Sequence, residues 1–377
     1  MQAATPLRVL VGDDQTDVLE AIRLLLKGCG HQAEIVDSPG ALLRAAGAKP
    51  FDVILMDMNY SRDTTSGEEG LDLLDKLMLS ERTTPVIVMT AWSNVDLAVE
   101  AMRRGASDFV QKPWDNARLV STVEKQARAA AERSQAAQEA KSELDIARLV
   151  QQRLLPQDAR STETLDYAGL CLPAREVGGD YYDYLDGNDG RVGFVLADVS
   201  GKGIAGAMLM ANLQASFRSQ TELALRDPRA LLGLVNKQFH ESTPTAFFCT
   251  LVFLQYDDAT RRLRCVNCGH PSPILVRANG DVERIEAAAL PLGIFAAWQC
   301  TEQAVTLEPG DTFLMFSDGV VEAGVEQDDE FGEQRVIEFL KENRATPVSK
   351  LLDKLVATVD AAARPGDDFT AVVLRAK

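Results

Sequence analysis

Gly178-Gly179-Asp180, together with Ala197-Asp198-Val199-Ser200-Gly201-Lys202-Gly203, is the stretch that decides how the second half of this chain folds. Both aspartates stand beside glycine turns, and apolar, strand-like runs flank them. Two similar turns follow downstream, in Ser317-Asp318-Gly319 and in Gly366-Asp367-Asp368-Phe369-Thr370. Carboxylates at four strand ends, brought together by folding, form a site for hard divalent cations such as Mg²⁺ and Mn²⁺.

A single aspartate beside a turn glycine has a simpler explanation, because acidic residues often cap loops. The ordered set of four segments is more specific, because a short motif becomes convincing through the other motifs that accompany it. In this order and spacing, the segments resemble the metal-dependent serine/threonine protein phosphatases of type 2C, in particular the bacterial branch typified by the stage II sporulation phosphatase E. The resemblance covers residues 145–377 and includes Asn267-Cys268-Gly269-His270-Pro271 and Leu290-Pro291-Leu292-Gly293.

The resemblance implies an α+β domain with two stacked antiparallel sheets flanked by helices. Helical spacing over 204–225, 228–241, 331–343 and 348–363 agrees with this. Asp198 would bridge two Mn²⁺ or Mg²⁺ ions, and the backbone carbonyl of Val199 would bind one of them. Asp318 and Asp367 would complete the second metal site, and Asp180 would contact the first ion or its waters. A water between the ions would attack the phosphorus of phosphoserine or phosphothreonine directly.

Three nearby side chains have two interpretations each. Asp368 is either a residue beside the ligands or an alternative to Asp367. Arg175 is either a phosphate ligand, because arginine suits bidentate phosphate contacts, or a solvated surface residue. His270 is either a proton shuttle or a structural residue after the turn at 267–269.

Composition limits the remaining function classes. The 377 residues include 39 Lys and Arg and 56 Asp and Glu, which gives a formal charge of −17. Such a balance argues against nucleic-acid binding, which needs a basic face. The six cysteines suggest no disulfide framework. Neither a signal peptide nor a membrane-spanning apolar run is evident, so we expect a cytoplasmic protein that makes no membrane contact.

The N-terminal third alternates apolar runs with amphipathic helical stretches. Strand-like runs fall at 7–11, 33–36, 51–56, 85–89 and 108–110, and helical spacing lies between them at 18–27 and 95–103. Alternation of this kind predicts an α/β domain with a doubly wound, five-stranded parallel sheet of the flavodoxin-like type. Ligands of such sheets bind at the carboxyl ends of the strands.

Polar residues follow several of these predicted strands. Asp13 and Asp14 follow the first strand, Asp57 the third, Thr90 the fourth and Lys112 the fifth. With these residues, segment 1–124 resembles the receiver domain of two-component response regulators.

The receiver resemblance implies that Asp57 accepts a phosphoryl group from a sensor histidine kinase or a phosphotransfer protein. Mg²⁺ would be held by Asp13, Asp14, Asp57 and the backbone carbonyl of Asn59. Lys112 would pair with the phosphoryl oxygens, Thr90 would hydrogen-bond to the aspartyl phosphate, and Phe109 would follow Thr90 inward as an aromatic switch. The long segment 58–70 either contacts the phosphoaspartate or the kinase, or is a tolerated surface insertion.

Residues 125–157 form the predicted linker between the receiver, 1–124, and the phosphatase domain, 158–377. Neither proline nor glycine occurs between Asn116 and Leu155, and strong helix formers dominate the middle. A long helix without a core of its own needs a partner. It is therefore either one strand of a parallel coiled coil in a homodimer or a plain spacer, and Pro156 ends it.

These patterns together predict a response regulator whose output is metal-dependent hydrolysis of a phosphoserine or phosphothreonine protein. The resemblance suggests a phosphorylated anti-sigma factor antagonist as the substrate. The alternative is a non-catalytic adaptor that binds a sigma factor or regulatory partner in response to phosphorylation. Adaptors of that kind lose metal carboxylates, whereas this chain keeps Asp180, Asp198, Asp318 and Asp367.

Overall fold

The computed structural model describes residues 5–60, 67–79, 84–91, 95–187, 189–244, 246–324, 330–362 and 366–377. The chain divides into two units, Met1–Lys141 and Ser142–Lys377, and helix α5 (Asn116–Leu154) runs from the first into the second. Residues 61–66 of the long segment 58–70 lie outside the described residues, and so does any role for them. No helix in the described part of the chain has the length and apolar composition needed to cross a membrane.

The first unit is built on a five-stranded parallel sheet in the order β2-β1-β3-β4-β5. Its strands are β1 Arg8–Gly12, β2 Gln32–Val36, β3 Val53–Asp57, β4 Val86–Ala91 and β5 Asp108–Lys112. Its helices are α1 Thr16–Gly28, α2 Pro39–Ala48, α3 Glu68–Met78, α4 Val95–Arg103 and the first part of α5. The predicted doubly wound α/β fold is confirmed.

Burial on both faces explains why the first sheet reads as apolar runs. Every side chain of β3 is buried, and successive residues point to opposite faces. Leu55 packs in the core shared with α1 and α5, whereas Met56 packs in the core shared with α2 and α3. Because the carboxyl ends of parallel strands lie at one edge of the sheet, Asp13 after β1, Asp57 at the end of β3 and Lys112 at the end of β5 meet there.

The second unit contains two antiparallel sheets. The first, in the order β14-β11-β10-β9-β8, consists of β8 Tyr181–Asp186, β9 Arg191–Val199, β10 Cys249–Asp257, β11 Arg262–Cys268 and β14 Gln303–Thr306. The second, in the order β13-β12-β15-β16-β7-β6, consists of β6 Arg160–Ser161, β7 Leu165–Leu172, β12 Ile274–Val276, β13 Val282–Arg284, β15 Thr312–Phe316 and β16 Phe369–Ala376.

Helices flank this pair of sheets. They are α6 Ile204–Ser219, α7 Thr221–Arg226, α8 Pro228–Ser242, α9 Asp318–Val321, α10 Gly332–Glu342 and α11 Val348–Ala362. One apolar core joins Phe194 of the first sheet, Phe313 of the second and Phe217 of α6, and another joins the second sheet to α10 and α11. The predicted α+β architecture is confirmed. The predicted helix 204–225 is two helices, with α7 burying Ala224 and Leu225 after a turn at Gln220.

The turns after β15 and before β16 pack directly on each other. The two strands pair from Thr312 to Phe316, so their aspartate turns leave the sheet side by side. Ser317 Oγ accepts a hydrogen bond from the Thr370 backbone N–H at 2.9 Å. A Cβ atom on Gly319 would overlap the backbone carbonyl oxygen of Asp368, so this approach requires glycine.

We expect Gly319→Ala to destabilise the chain by about 1–3 kcal/mol, because the added methyl group must push two packed turns apart. Gly366→Ala is the matched control, since a Cβ there would have nothing within 4 Å. The free energy of unfolding from urea titrations of the full-length chain measures both effects. Equal stability of the two variants would contradict the close approach.

His270 is buried with both ring nitrogens in structural hydrogen bonds. Nε2 lies 3.1 Å from the Phe316 carbonyl oxygen and therefore carries the proton, while Nδ1, 2.8 Å from Thr250 Oγ1, accepts from that hydroxyl. Burial lowers the pKa of His270 to about 3. The ring is thus held neutral as a link between β10 and the end of β15.

This neutral histidine predicts acid sensitivity. The unfolded chain binds a proton at His270 near pH 6.5, whereas the folded chain does so only near pH 3. Its stabilising contribution is therefore present above about pH 6.5 and is lost as the pH falls toward 3, at up to about 1.4 kcal/mol per pH unit. We expect His270→Gln to flatten this slope in urea titrations between about pH 7 and pH 5. An unchanged slope, or an equal change in the control His240→Gln, would argue against this assignment.

Candidate functional site

The predicted phosphoacceptor cluster forms at the carboxyl edge of the parallel sheet. Asp13, Asp14 and Asp57 offer carboxylate oxygens that all lie within 4.8 Å of one another. Lys112 Nζ lies 2.6 Å from Asp13 Oδ2 and 2.9 Å from Asp57 Oδ1. Burial raises the pKa of Asp57, and the ammonium of Lys112 opposes this rise. Asp14 Oδ1 is buried and has no hydrogen-bond partner in the part of the chain that the structure describes, so the donor set fits a hard cation.

The other predicted receiver residues surround this cluster. Thr90 is buried at the end of β4, and Phe109, which is 39% exposed, lies on the neighbouring β5. Sequence reasoning missed Tyr60 and Glu69, whose buried Oη and Oε2 atoms have no hydrogen-bond partner among the described residues. Burial raises the pKa of the Tyr60 hydroxyl, and the aspartates of the cluster add to the effect. An aromatic residue three positions after Asp57 gave no signal of this in the sequence.

Three aspartates of the second unit line a cavity of about 250 Å³. Asp198, Asp367 and Asp368 line it, and so do Arg175 and Lys202. Glycine backbone forms much of the remaining wall, because Gly178, Gly179, Gly201, Gly203 and Gly366 all line the cavity. A Cβ atom on Gly179 would lie 2.6 Å from the carbonyl oxygen of Val199, so the two glycine turns are in close contact.

Burial shapes the electrostatics of this site, and repulsion between neighbouring carboxylates adds to its effect. Burial raises the pKa of Asp198 to about 7, with Asp318, Asp367 and Asp368 adding to the rise. Burial also raises the pKa of Asp180 well above its ordinary value, and the charge of Asp198 contributes. Among the described residues, none forms a hydrogen bond with Asp180 Oδ2. These residues therefore fit divalent cations, which would satisfy the free oxygen and neutralise the cluster.

The spacing differs between the two clusters. Within the described residues, one group of at least three His, Cys, Asp or Glu side chains has all its ligand atoms within 4.8 Å of one another. That group is the three receiver aspartates. Asp180, Asp198, Asp318 and Asp367 are brought into electrostatic contact but are more widely spaced. A wider set suits two cations that share a carboxylate better than it suits one cation.

Asp368 holds the glycine loop in place. Its Oδ1 accepts a hydrogen bond from the Ala174 N–H at 2.8 Å, and its Oδ2 accepts one from the Gly179 N–H at 2.9 Å. Both oxygens of Asp368 are thus engaged by backbone donors of the glycine loop, and Asp367 lines the same cavity beside it.

Gln151 is a second tether on the same loop, and sequence reasoning missed it. Its Nε2 donates to the Gly178 carbonyl at 2.7 Å, and its Oε1 accepts from the Gly178 N–H at 3.1 Å. Gln151 is buried near the end of α5, whereas residues 145–150 of that helix are exposed. A glutamine in a helix of alternating polar residues carries no distinguishing signal, and only the tertiary contact reveals its role.

Two basic side chains, those of Arg175 and Lys202, lie among the acidic residues that line the cavity. Arg175 is exposed on the glycine loop and lines the cavity. Lys202 Nζ lies 2.7 Å from Asp367 Oδ2. Arg175 was predicted as a candidate phosphate ligand, whereas Lys202 was not singled out.

Comparison with known proteins identifies both units. Residues 9–124 match the response regulator receiver domain, and residues 188–377, half of the chain, match the stage II sporulation protein E (SpoIIE) family. The chain is 30% identical to the phosphoserine phosphatase RsbU of Bacillus subtilis (strain 168) over 64% of its own length and 72% of that protein. It is 23% identical to the phosphoserine phosphatase RsbP of the same organism, over 58% of its own length and 53% of that protein.

A solved structure supports the fold of the second unit. The SiaA-PP2C domain of Pseudomonas aeruginosa superposes with a TM-score of 0.56 at 24% identity, covering 64% of this chain and 98% of that domain. The same α+β architecture is thus present in both proteins. From the family matches, the chain belongs to the stage II sporulation protein E family, and it is a response regulator in which a receiver domain precedes the phosphatase domain.

Proposed function

We propose that this response regulator hydrolyses phosphoserine or phosphothreonine on a protein in a metal-dependent reaction, and that phosphorylation of Asp57 controls it. The observation that carries the proposal is that Asp198, Asp367 and Asp368 meet at one cavity, where burial, with the charges of the neighbouring carboxylates adding to it, raises the pKa of Asp198 to about 7. Such an arrangement is costly in a folded protein unless cations or protons neutralise it. Catalytic sites are where costs of this kind are found.

Each residue would have a distinct role. Asp198 would be shared by two Mn²⁺ or Mg²⁺ ions, with Asp180 on one side, Asp318 and Asp367 on the other, and the Val199 carbonyl on one ion. When bound there, the ions would supply a water of lowered pKa and offset the charge of the phosphoryl oxygens. Arg175, on the wall of the same cavity, would donate hydrogen bonds to the phosphoryl group. Asp368 and Gln151 would keep the glycine loop in register with these groups.

A protein substrate agrees with the surroundings of the cavity. Phe248 lines the cavity and is partly exposed, and large apolar residues such as Ile204 and Met208 are exposed on α6 just beyond Gly203. Exposed apolar groups beside an active site suit a polypeptide better than a small metabolite. By the family resemblance, we propose a phosphorylated anti-sigma factor antagonist as the substrate.

The remaining proposals concern signal input. A sensor histidine kinase or a phosphotransfer protein would phosphorylate Asp57, with Mg²⁺ held by the cluster of Asp13, Asp14 and Asp57 and by the Asn59 carbonyl.

The chain would comprise a receiver domain at 1–124, a helical linker at 125–157 and a phosphatase domain at 158–377. Ile146, Leu149 and Val150 form an exposed apolar stripe on α5 at helical spacing, and a homodimer paired through the linker would bury it.

Asp198→Asn should reduce turnover of a phosphoserine peptide with Mn²⁺ or Mg²⁺ by at least about 100-fold, because the shared carboxylate is lost. Chelation of the metal should abolish wild-type turnover. Asp353→Asn, at an exposed position of α11, is the matched control and should leave turnover unchanged. If folded wild-type protein turned over no phosphopeptide or phosphoprotein under any metal condition, a non-catalytic adaptor would replace this proposal.

Beryllofluoride, which mimics the aspartyl phosphate, should raise wild-type turnover by about tenfold, a coupling typical of allosteric proteins. The reason is that a new anion at Asp57 must reorganise the contacts of Lys112, which now joins Asp13 and Asp57. Asp57→Asn should not respond. Lower turnover with beryllofluoride would reverse the sign of control, and an equal response in Asp57→Asn would remove Asp57 from it.

A further inference from the structure

We propose that Lys202 is an internal counter-ion that competes with a divalent cation for Asp367 and so sets the metal affinity of the phosphatase site. The inference rests on the proposed metal-dependent function and adds a residue that neither the sequence nor the comparisons assign. It predicts that the ammonium of Lys202 competes with a metal ion for the carboxylate of Asp367.

The contact is direct. Lys202 Nζ lies 2.7 Å from Asp367 Oδ2, and both side chains line the cavity that contains Asp198. The charge of Lys202 also opposes the rise in pKa of Asp198 and of Asp318. The ammonium therefore interacts with three of the four carboxylates that would hold the ions.

Both oxygens of Asp367 are already engaged, because Oδ1 accepts a hydrogen bond from the Asp368 N–H at 2.9 Å and Oδ2 pairs with Lys202 Nζ. A divalent ion binds a carboxylate oxygen at about 2.0–2.2 Å. An ammonium held 2.7 Å from the same oxygen would then lie close enough to the ion for strong repulsion. The ammonium of Lys202 therefore opposes binding of an ion at Asp367, and release of the ion pair favours it.

The local backbone allows this exchange without refolding. Ser200 is fixed to Phe248, the residue before β10, by two hydrogen bonds, one from its N–H and one to its Oγ. Gly203 begins α6 on the other side of Lys202. With the backbone held at both ends and 57% of the lysine side chain exposed, rotation about side-chain bonds is enough to release Asp367.

Arg175 is a control that distinguishes the effect of the Lys202–Asp367 ion pair from the effect of the cavity's net charge. It lines the same cavity and carries the same charge, but it extends from the glycine loop, and its charge is not among the causes that shift the pKa of Asp198 or Asp318. If only the net charge of the cavity mattered, loss of either cation would strengthen metal binding equally. If Lys202 competes for Asp367, its loss must have the larger effect.

The test is Mn²⁺ binding to the full-length protein by isothermal titration calorimetry. All variants carry Asp57→Asn, which breaks the receiver cluster and simplifies the titration. Lys202→Gln should tighten the weaker phosphatase-site dissociation constant by about three- to tenfold, from loss of an ion pair and of one repelling charge. Lys202→Arg, which keeps the charge, and Arg175→Gln should each stay within about twofold of the parent.

The outcomes separate this inference from the function on which it rests. Unchanged or weaker binding in Lys202→Gln would overturn the competition, and so would equal tightening in Arg175→Gln. Asp198→Asn should lose the phosphatase-site binding. If it titrated like the parent, the metal site itself, and with it the proposed function, would be wrong whatever Lys202 does.

Discussion

The phosphatase site depends on the hydrogen bonds that Asp368 accepts from the backbone of a loop almost 200 positions earlier in the chain. Its carboxylate takes the N–H groups of Ala174 and Gly179, and its own N–H donates to Asp367 Oδ1 at 2.9 Å. A Cβ atom on Gly178 would overlap the same carboxylate, so the loop must be glycine to come this close. One charged side chain thereby joins the glycine loop to the turn that precedes β16.

Both units solve the problem of crowded carboxylates with a lysine, but in different ways. Lys112 contacts Asp13 and Asp57 together, and its side chain is only 20% exposed. Lys202 forms an ion pair with Asp367, and 57% of its side chain is exposed to solvent, where an ion pair contributes little. The first lysine is therefore a fixed part of its site, whereas the second is held weakly enough to yield to a competing cation.

The sequence predicted the parts of the molecule in which local pattern and tertiary role coincide. Buried strands such as β3 read as apolar runs because both faces are covered, and the aspartates at strand ends could be located from glycine turns. The edge strand β14 was missed because it has only four residues and none of them is buried. The break between α6 and α7 was missed because neither glycine nor proline marks Gln220. Gln151 and Lys202 were missed for a different reason, since their roles come from contacts with residues distant in the chain.

The end of α5 shows how a helix can be both exposed and coupled to the site. Residues 131–143 and 145–150 of the helix are exposed, so tertiary packing does not fix that stretch. At Gln151 the environment changes, because its amide holds both backbone groups of Gly178 and leaves neither of them for water. Successive helix residues are separated by about 100° around the axis, so rotation of this last turn by one residue would carry the amide away from Gly178. The helix end can therefore turn only if two buried hydrogen bonds break or the glycine loop moves with it, and that loop carries Gly179 and the bond to Asp368.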